Sequence, residues 1–187
     1  MKMNKVYLAL GSNINSEENI RAALKMLAAA THLVSVSSIW KTKPVGLLAQ
    51  ADFLNGAALI MTPLSAAEIK ATLIGPIEQA LQRIRQADKN GPRTIDLDIV
   101  LFNQQILEVV GNHIPDPDIY KRPFLALPLA EISPDYEHPE TGDTLQQIAD
   151  KFGSEARDMV LLPEFSRELS ISINTIYAFQ DPKGFQA

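Results

Sequence analysis

Short apolar runs and stretches of helical period alternate along the first hundred residues of the chain. Residues 5–10, KVYLAL, are rich in strand formers and close on Gly-Ser-Asn, which predicts a buried strand leaving into a turn. Ile20, Ala23, Leu24, Leu27 and Ala28 then recur at helical spacing and predict a helix over 16–30. Ser16 is its expected cap, with Glu17 and Glu18 at the positive end of the helix dipole. From 32 to 45, Leu33, Ser35 and Ser37 alternate against Val34 and Val36, and the pattern resumes after a slip at Ile39. This predicts a strand running into a proline-containing loop, and 52–62 predicts the next strand. The connection 44–51 is too long for a tight hairpin, and long connections hint at function.

Residues 65–85 carry the longest helical pattern, opened by Ser65 with Glu68 at capping-box spacing. Gly75-Pro76 interrupts it, and the missing proline N–H predicts a kink or a division there. In 94–102 Ile95, Leu97 and Ile99 oppose Thr94, Asp96, Asp98 and Val100, a strand pattern. Beyond 103 the prolines at 115, 117, 123, 128, 134 and 139 cut the chain into short pieces, with helices expected at 124–132 and at 144–152, the latter capped by Thr144. A further strand is expected at 169–179, LSISINTIYAF. The order strand, helix, strand, strand, helix, strand is the split βαβ arrangement. It predicts an α+β, ferredoxin-like antiparallel sheet with two helices on one face. One domain over 1–152 is expected, with 153–187 as an extension packed on it.

Composition narrows the partners. The 187 residues carry a net charge of −5, so an anion site must come from a local cluster of cations rather than from a whole-molecule field. With no cysteine there is no disulfide, thiolate metal site or thiol nucleophile. The opening apolar run is too short for a signal peptide or a membrane span, which makes the cytoplasm the default location.

Asp96 and Asp98 project to the same face of their strand, about 7 Å apart along the chain. A lone D-x-D pair is ordinarily a solvated face with loose cationic partners worth little. Here Arg83, Arg85 and Arg93 lie close in sequence, and guanidinium groups match phosphate oxygens bidentately. Carboxylates able to hold Mg2+, several arginines and no Ser-His or Cys-His pair fit phosphoryl-type transfer, where positioning and charge neutralisation dominate.

ALGSN, TKPVG followed by DFLN, EQALQRIR, GPRTIDLDIVLF and RPFLALPLAEISP, in this order from about residue 5 to 150, resemble 6-hydroxymethyl-7,8-dihydropterin pyrophosphokinases. The resemblance implies a ferredoxin-like fold and transfer of pyrophosphate from ATP to the hydroxymethyl group of a reduced pterin, with release of AMP. It implies two Mg2+ ions on Asp96 and Asp98, and Arg83 and Arg93 as catalytic residues. Thr42, Pro44, Val45, Phe53, Asn55 and Phe124 match the pterin side. Glu78, Arg85, Ile99 and Arg122 match the nucleotide side.

The chain departs from the family pattern at Asn90, where an aromatic residue is usual, at Gly111, where some members carry arginine, and at Asp116, where histidine is usual. All three lie on the nucleotide side, and His113 stands close enough in sequence to stand in for the missing histidine. The loops 44–51 and 86–93 are expected lids, and Trp40 is expected in the core. The rival reading is a ferredoxin-like module that binds pterin or another small ligand without kinase chemistry. In neither reading is nucleic acid or membrane a partner, and a monomer or weak dimer is expected.

Overall fold

The computed structural model of the chain describes residues 2–84, 91–153 and 155–180. The strands β1 (Asn4–Ser12), β2 (His32–Val36), β3 (Trp40–Thr42), β4 (Phe53–Thr62) and β5 (Asp96–Phe102) build one antiparallel sheet. Its order is β5-β1-β4-β3, with β2 and β3 sharing one edge of β4. This is the expected ferredoxin-like arrangement, with the second strand divided in two.

The division has a local cause. The Ser37 hydroxyl donates to the Ser38 carbonyl at 2.7 Å and accepts from the Ala57 N–H at 2.8 Å, replacing ladder contacts. Ile39 then folds over Gly56, where a Cβ would come within 2.7 Å of its Cδ1. The strand expected over 32–45 is therefore β2 and β3 with an irregular stretch, 37–39, between them.

Helix α1 (Ser16–Ala30) runs over the expected residues, but its N-cap is Asn15 in the left-handed conformation rather than Ser16. The next helix opens on the expected capping box of Ser65 and Glu68. It has three parts: α2 (Ala66–Glu68), a π-helical segment Ile69–Ile74, and α3 (Gly75–Ala80) with Pro76 in its first turn. Proline cannot donate to the preceding turn, and the Gly75 N–H reaches back five residues to the Lys70 carbonyl. The helix ends at Ala80, short of the expected 85, and Gln82 takes a φ of 58°.

These helices bury Leu24, Leu27, Ile69, Leu73 and Ile77 against Val6, Leu8, Leu10 and Ile60 of the sheet. Each such side chain contributes about 1.5–3 kcal/mol of transfer free energy. The opposite face is covered by α4 (Pro123–Ile132) and α5 (Leu145–Asp150), whose Leu125, Leu129, Leu145 and Ile148 pack with Tyr7, Leu59 and Leu101. Both helices fall where the sequence predicts them, and Thr144 caps α5 in a second capping box. The two helices of the split unit thus lie on one face, and the later pair covers the other.

The expected strand at 169–179 is instead part of α6 (Pro163–Gln180). Its alternating serines look strand-like, yet the Ser166, Ser170 and Ser172 hydroxyls each donate to the carbonyl four residues back. Phe165 and Leu169, one helical turn apart, join the α1 core. A two-residue strand, β8 (Val160–Leu161), adds to the free edge of β3.

Strands β6 (Leu107–Val109) and β7 (Asn112–Ile114) form a hairpin whose loop is Val110-Gly111, with φ of 51° and 76°. Both angles positive is the type I′ pattern, which favours Asn-Gly and penalises a β-branched residue. Val110 is 80% exposed, so nothing is gained by packing it. Val110→Asn is expected to raise stability by about 1 kcal/mol. Urea unfolding is expected to show a higher midpoint at unchanged slope.

Candidate functional site

The sheet face that carries α4 is left uncovered at one end, and there the pleat sets Asp96 and Asp98 side by side. In register, Asp96 pairs with Gly11 of β1, Gly11 with Asn55 of β4, and Asn55 with Trp40 of β3. Asp98 pairs with Ala9. The small residues of β1 keep the floor low: a Cβ on Gly11 would meet the Asn55 Oδ1 at 3.4 Å. Val100 and Leu101 then both face α4 because a bulge opens in the β1–β5 ladder, so the strict alternation that exposes the carboxylates ends at Ile99.

Two cavities meet on this floor. One, of about 270 Å³, is lined by Val45, Phe53, Asn55, Arg122 and Phe124. The other, of about 670 Å³, is lined by Lys70, Arg83, Gly111 and His113. Arg93, Asp96, Asp98, Asp116 and Asp118 belong to both. The smaller suits a flat ring compound, with the rings of Phe53 and Phe124 and a polar amide on its walls. The larger, with three cationic side chains, suits a polyanion.

Charge is balanced across the junction. Asp96 accepts from Arg93 and, at 3.4 Å, from Arg83, while Asp98 pairs with Lys70 at 3.3 Å. The Arg93 guanidinium also lies 5.4 Å from the centre of the Phe53 ring, a cation–π contact that fixes both groups. Among the described residues no three His, Cys, Asp or Glu side chains converge in metal-binding geometry. A cation here would rest on Asp96 and Asp98 and complete its shell from substrate and water, as Mg2+ does. The all-oxygen donor set and the partial exposure of both carboxylates, 22% and 44%, fit that ion.

Asp116 is held by its own turn. Its N–H bonds the Val100 carbonyl and its carboxylate caps the 3-10 turn Pro117–Tyr120 through the Asp118 N–H at 2.8 Å. Burial raises its pKa, and the charges of Asp118 and Asp98 add to that rise.

The remaining expected site residues divide. Thr42 and Pro44 are buried beside the smaller cavity rather than on its wall, and Thr42 orients the Asn55 amide by accepting its Nδ2–H at 2.8 Å. Glu78 is buried and accepts the Leu97 N–H at 3.2 Å, so it anchors the start of β5 from beneath. Ile99 packs in the core with no side-chain access to either cavity. Arg122, expected with the nucleotide, lines the smaller cavity and pairs loosely with Asp118 at 3.7 Å. Arg85 and Asn90 lie outside the described residues, as does most of the expected lid 86–93. Trp40, expected in the core, is half-buried on β3 with its indole N–H donated to Glu131 at 2.8 Å.

Three residues emerge that the sequence pattern did not single out. Lys70 has just been described, and Asp118 joins both cavities. Asn13, which looked like a simple turn residue, ties the two flanks of the cleft. Its Nδ2 donates to Gln50 at 2.9 Å and to the Ala51 carbonyl, and its Oδ1 accepts the Arg93 N–H at 2.7 Å. The Gly-Ser-Asn turn is therefore a clasp.

A family model described as 7,8-dihydro-6-hydroxymethylpterin-pyrophosphokinase (HPPK) matches residues 7–134. The 2-amino-4-hydroxy-6-hydroxymethyldihydropteridine pyrophosphokinase of Bacillus subtilis (strain 168) is 43% identical over 147 residues, covering 77% of this chain and 87% of that protein. The protein of the same name from Haemophilus influenzae is 38% identical over 154 residues, covering 79% and 95%. The solved structure of wild-type HPPK-DHPS from Plasmodium falciparum superposes with a TM-score of 0.67 at 14% identity, a likeness of fold. It covers 84% of this chain, which spans 44% of that longer one.

His113, on the wall of the larger cavity, and the buried His138 have pKa values shifted in opposite directions. His113 bonds Glu108 at 2.7 Å and Glu140 at 2.8 Å, and these carboxylates raise its pKa. Its pairing therefore stabilises fully below about pH 6.5 and is lost as pH rises through the raised value. Burial lowers the pKa of His138, whose stabilising share is present above about pH 6.5 and is lost as pH falls through the lowered value. NMR titration is expected to show the His113 midpoint above and the His138 midpoint below the ordinary value. His113→Gln is expected to remove the loss of stability on raising the pH.

Proposed function

Because the chain belongs to the 7,8-dihydro-6-hydroxymethylpterin-pyrophosphokinase family, whose members transfer pyrophosphate in folate biosynthesis, we propose that its two-part cleft is where this transfer takes place. The protein is an enzyme of that class. Pyrophosphate passes from ATP to the hydroxymethyl group of 6-hydroxymethyl-7,8-dihydropterin, giving AMP and the pterin diphosphate. The observation that carries the reading is the junction itself: a ring-sized cavity and a cation-lined cavity share Asp96, Asp98 and Arg93.

The pterin would lie between Phe53 and Phe124, its polar edge met by Asn55, whose amide is already oriented by Thr42. Val45 closes the outer side and Pro44 supports it from within. The nucleotide would occupy the larger cavity, with Arg83 and Arg93 directed at the phosphates. Both guanidinium groups are preorganised on Asp96 and do not have to be gathered when charge develops on the transferring group. Glu78 acts from beneath by fixing β5, and Arg122 belongs with the pterin cavity; Arg85 is retained on the nucleotide side from its sequence match alone.

Asp96 and Asp98 are the residues that would hold two Mg2+ ions, which would supply positive charge against the phosphate under attack. The reading takes 1–152 as the catalytic domain and the remainder as an extension. In support, Phe165 and Leu169 share the α1 core and Arg21 pairs with Glu168 at 3.0 Å. No helix among the described residues is long and apolar enough to cross a membrane. A cytoplasmic monomer or weak dimer completes the proposal.

Incubation with reduced hydroxymethylpterin, ATP and Mg2+ is expected to release AMP, and Asp96→Ala or Asp98→Ala to lower the rate by about a thousandfold with pterin affinity little changed. Pterin binding with no AMP from the unaltered protein would leave a binding protein instead. Asp116 places a negative charge beside the triphosphate site. Asp116→Asn keeps the cap of the 3-10 turn and is expected to lower the KM for ATP about fivefold to tenfold, read from steady-state kinetics.

A further inference from the structure

The π-helical segment Ile69–Ile74 adds a residue to its turn, and single π turns recur at functional sites. Lys70 lies in it. Its side chain is 19% exposed and lines the larger cavity, with the ammonium 3.3 Å from the Asp98 carboxylate. Lysines are rarely so buried unless paired. Asp98 is the more open partner at 44% exposed, so it is the carboxylate of this pair that an incoming ion can reach.

The other cations of the cavity are arranged differently. Arg83 and Arg93 are both engaged by Asp96, and among the described residues Lys70 is the cation paired with Asp98. Asp116, on the same wall, is acceptor-only when ionised and cannot donate to a phosphate oxygen. An ammonium is a compact charge with three rotatable donors on a flexible stem, able to swing between acceptors a few ångströms apart, whereas guanidinium forks are held by their geometry.

Resting on the reading of this cleft as the nucleotide side of a pyrophosphokinase, we propose that Lys70 is a nucleotide-positioning residue that changes partners. In the free protein it neutralises Asp98; when metal-bound nucleotide occupies the cavity, Asp98 turns to the metal and the Lys70 ammonium to the phosphate oxygens.

Such an exchange sets two affinities against each other. Lys70→Met removes the competitor for Asp98, so the nucleotide-free protein is expected to bind Mn2+ about tenfold more tightly, read from the electron paramagnetic resonance signal of free Mn2+. The same variant is expected to bind a non-hydrolysable ATP analogue with Mg2+ about tenfold more weakly by calorimetry, with pterin affinity within about twofold. Lys70→Arg is expected to recover analogue binding in part. A structural role would instead move all three affinities downward together, and that result, or an unchanged affinity for the analogue, overturns the proposal. Should the Met variant fail to fold, Lys70→Gln carries the same measurements. Failure of the kinase reading is seen separately, as absence of AMP formation by the unaltered protein; unchanged Mn2+ affinity in the variant then still overturns the exchange.

Discussion

Two carboxylates on one pleat face repel, and the arrangement around them is what makes that face tenable. Asp96 is held by two arginines and Asp98 by a lysine, each reaching in from a different segment: the end of the third helical piece, the approach to β5 and the π turn. These contacts also bring three cations to one place. A pair of acids that would weaken an ordinary strand thus organises the cleft, because neutralising it requires the groups that a polyphosphate also needs.

The floor is as constrained as the walls. Ala9 and Gly11 are small where β1 passes the carboxylates, and Asn55 continues the same row across the sheet. Asn13 then joins the loop after β3 to the backbone of Arg93, while the Ser12 hydroxyl donates to the Thr94 carbonyl at 2.5 Å. One short stretch at the end of β1 therefore sets the sheet depth, the position of Arg93 and the anchorage of the 44–51 loop. A displacement of any one is transmitted to the other two through these bonds.

Much of this was legible in the chain. The strand order, the Ser65 capping box, the Thr144 cap and the same-face spacing of Asp96 and Asp98 are local patterns, and they survive folding unchanged. What escaped depends on distance or on departures from regular helical and strand periods. Asn13 reads as a turn residue because its partners lie 37 to 80 positions away. Lys70 is hidden because an α-helical wheel misplaces a residue inside a π turn. The serines of α6 mimic strand alternation until their hydroxyls are seen to bond within the helix. Glu78 and Ile99 follow the family's motif yet line neither cavity, Glu78 accepting the Leu97 N–H and Ile99 packing in the core, since the resemblance conveys proximity in sequence and not side-chain surroundings.

The position of Trp40 has an optical consequence. It is the single tryptophan of the chain, paired in register with Asn55 and bonded through its indole to Glu131, near the far end of the helix whose first turn carries Phe124. Emission excited at the red edge of the near-ultraviolet therefore comes from one fluorophore, seated between the strand and the helix that bound the ring cavity. The molecule carries a spectroscopic reporter for that compartment without any attached dye.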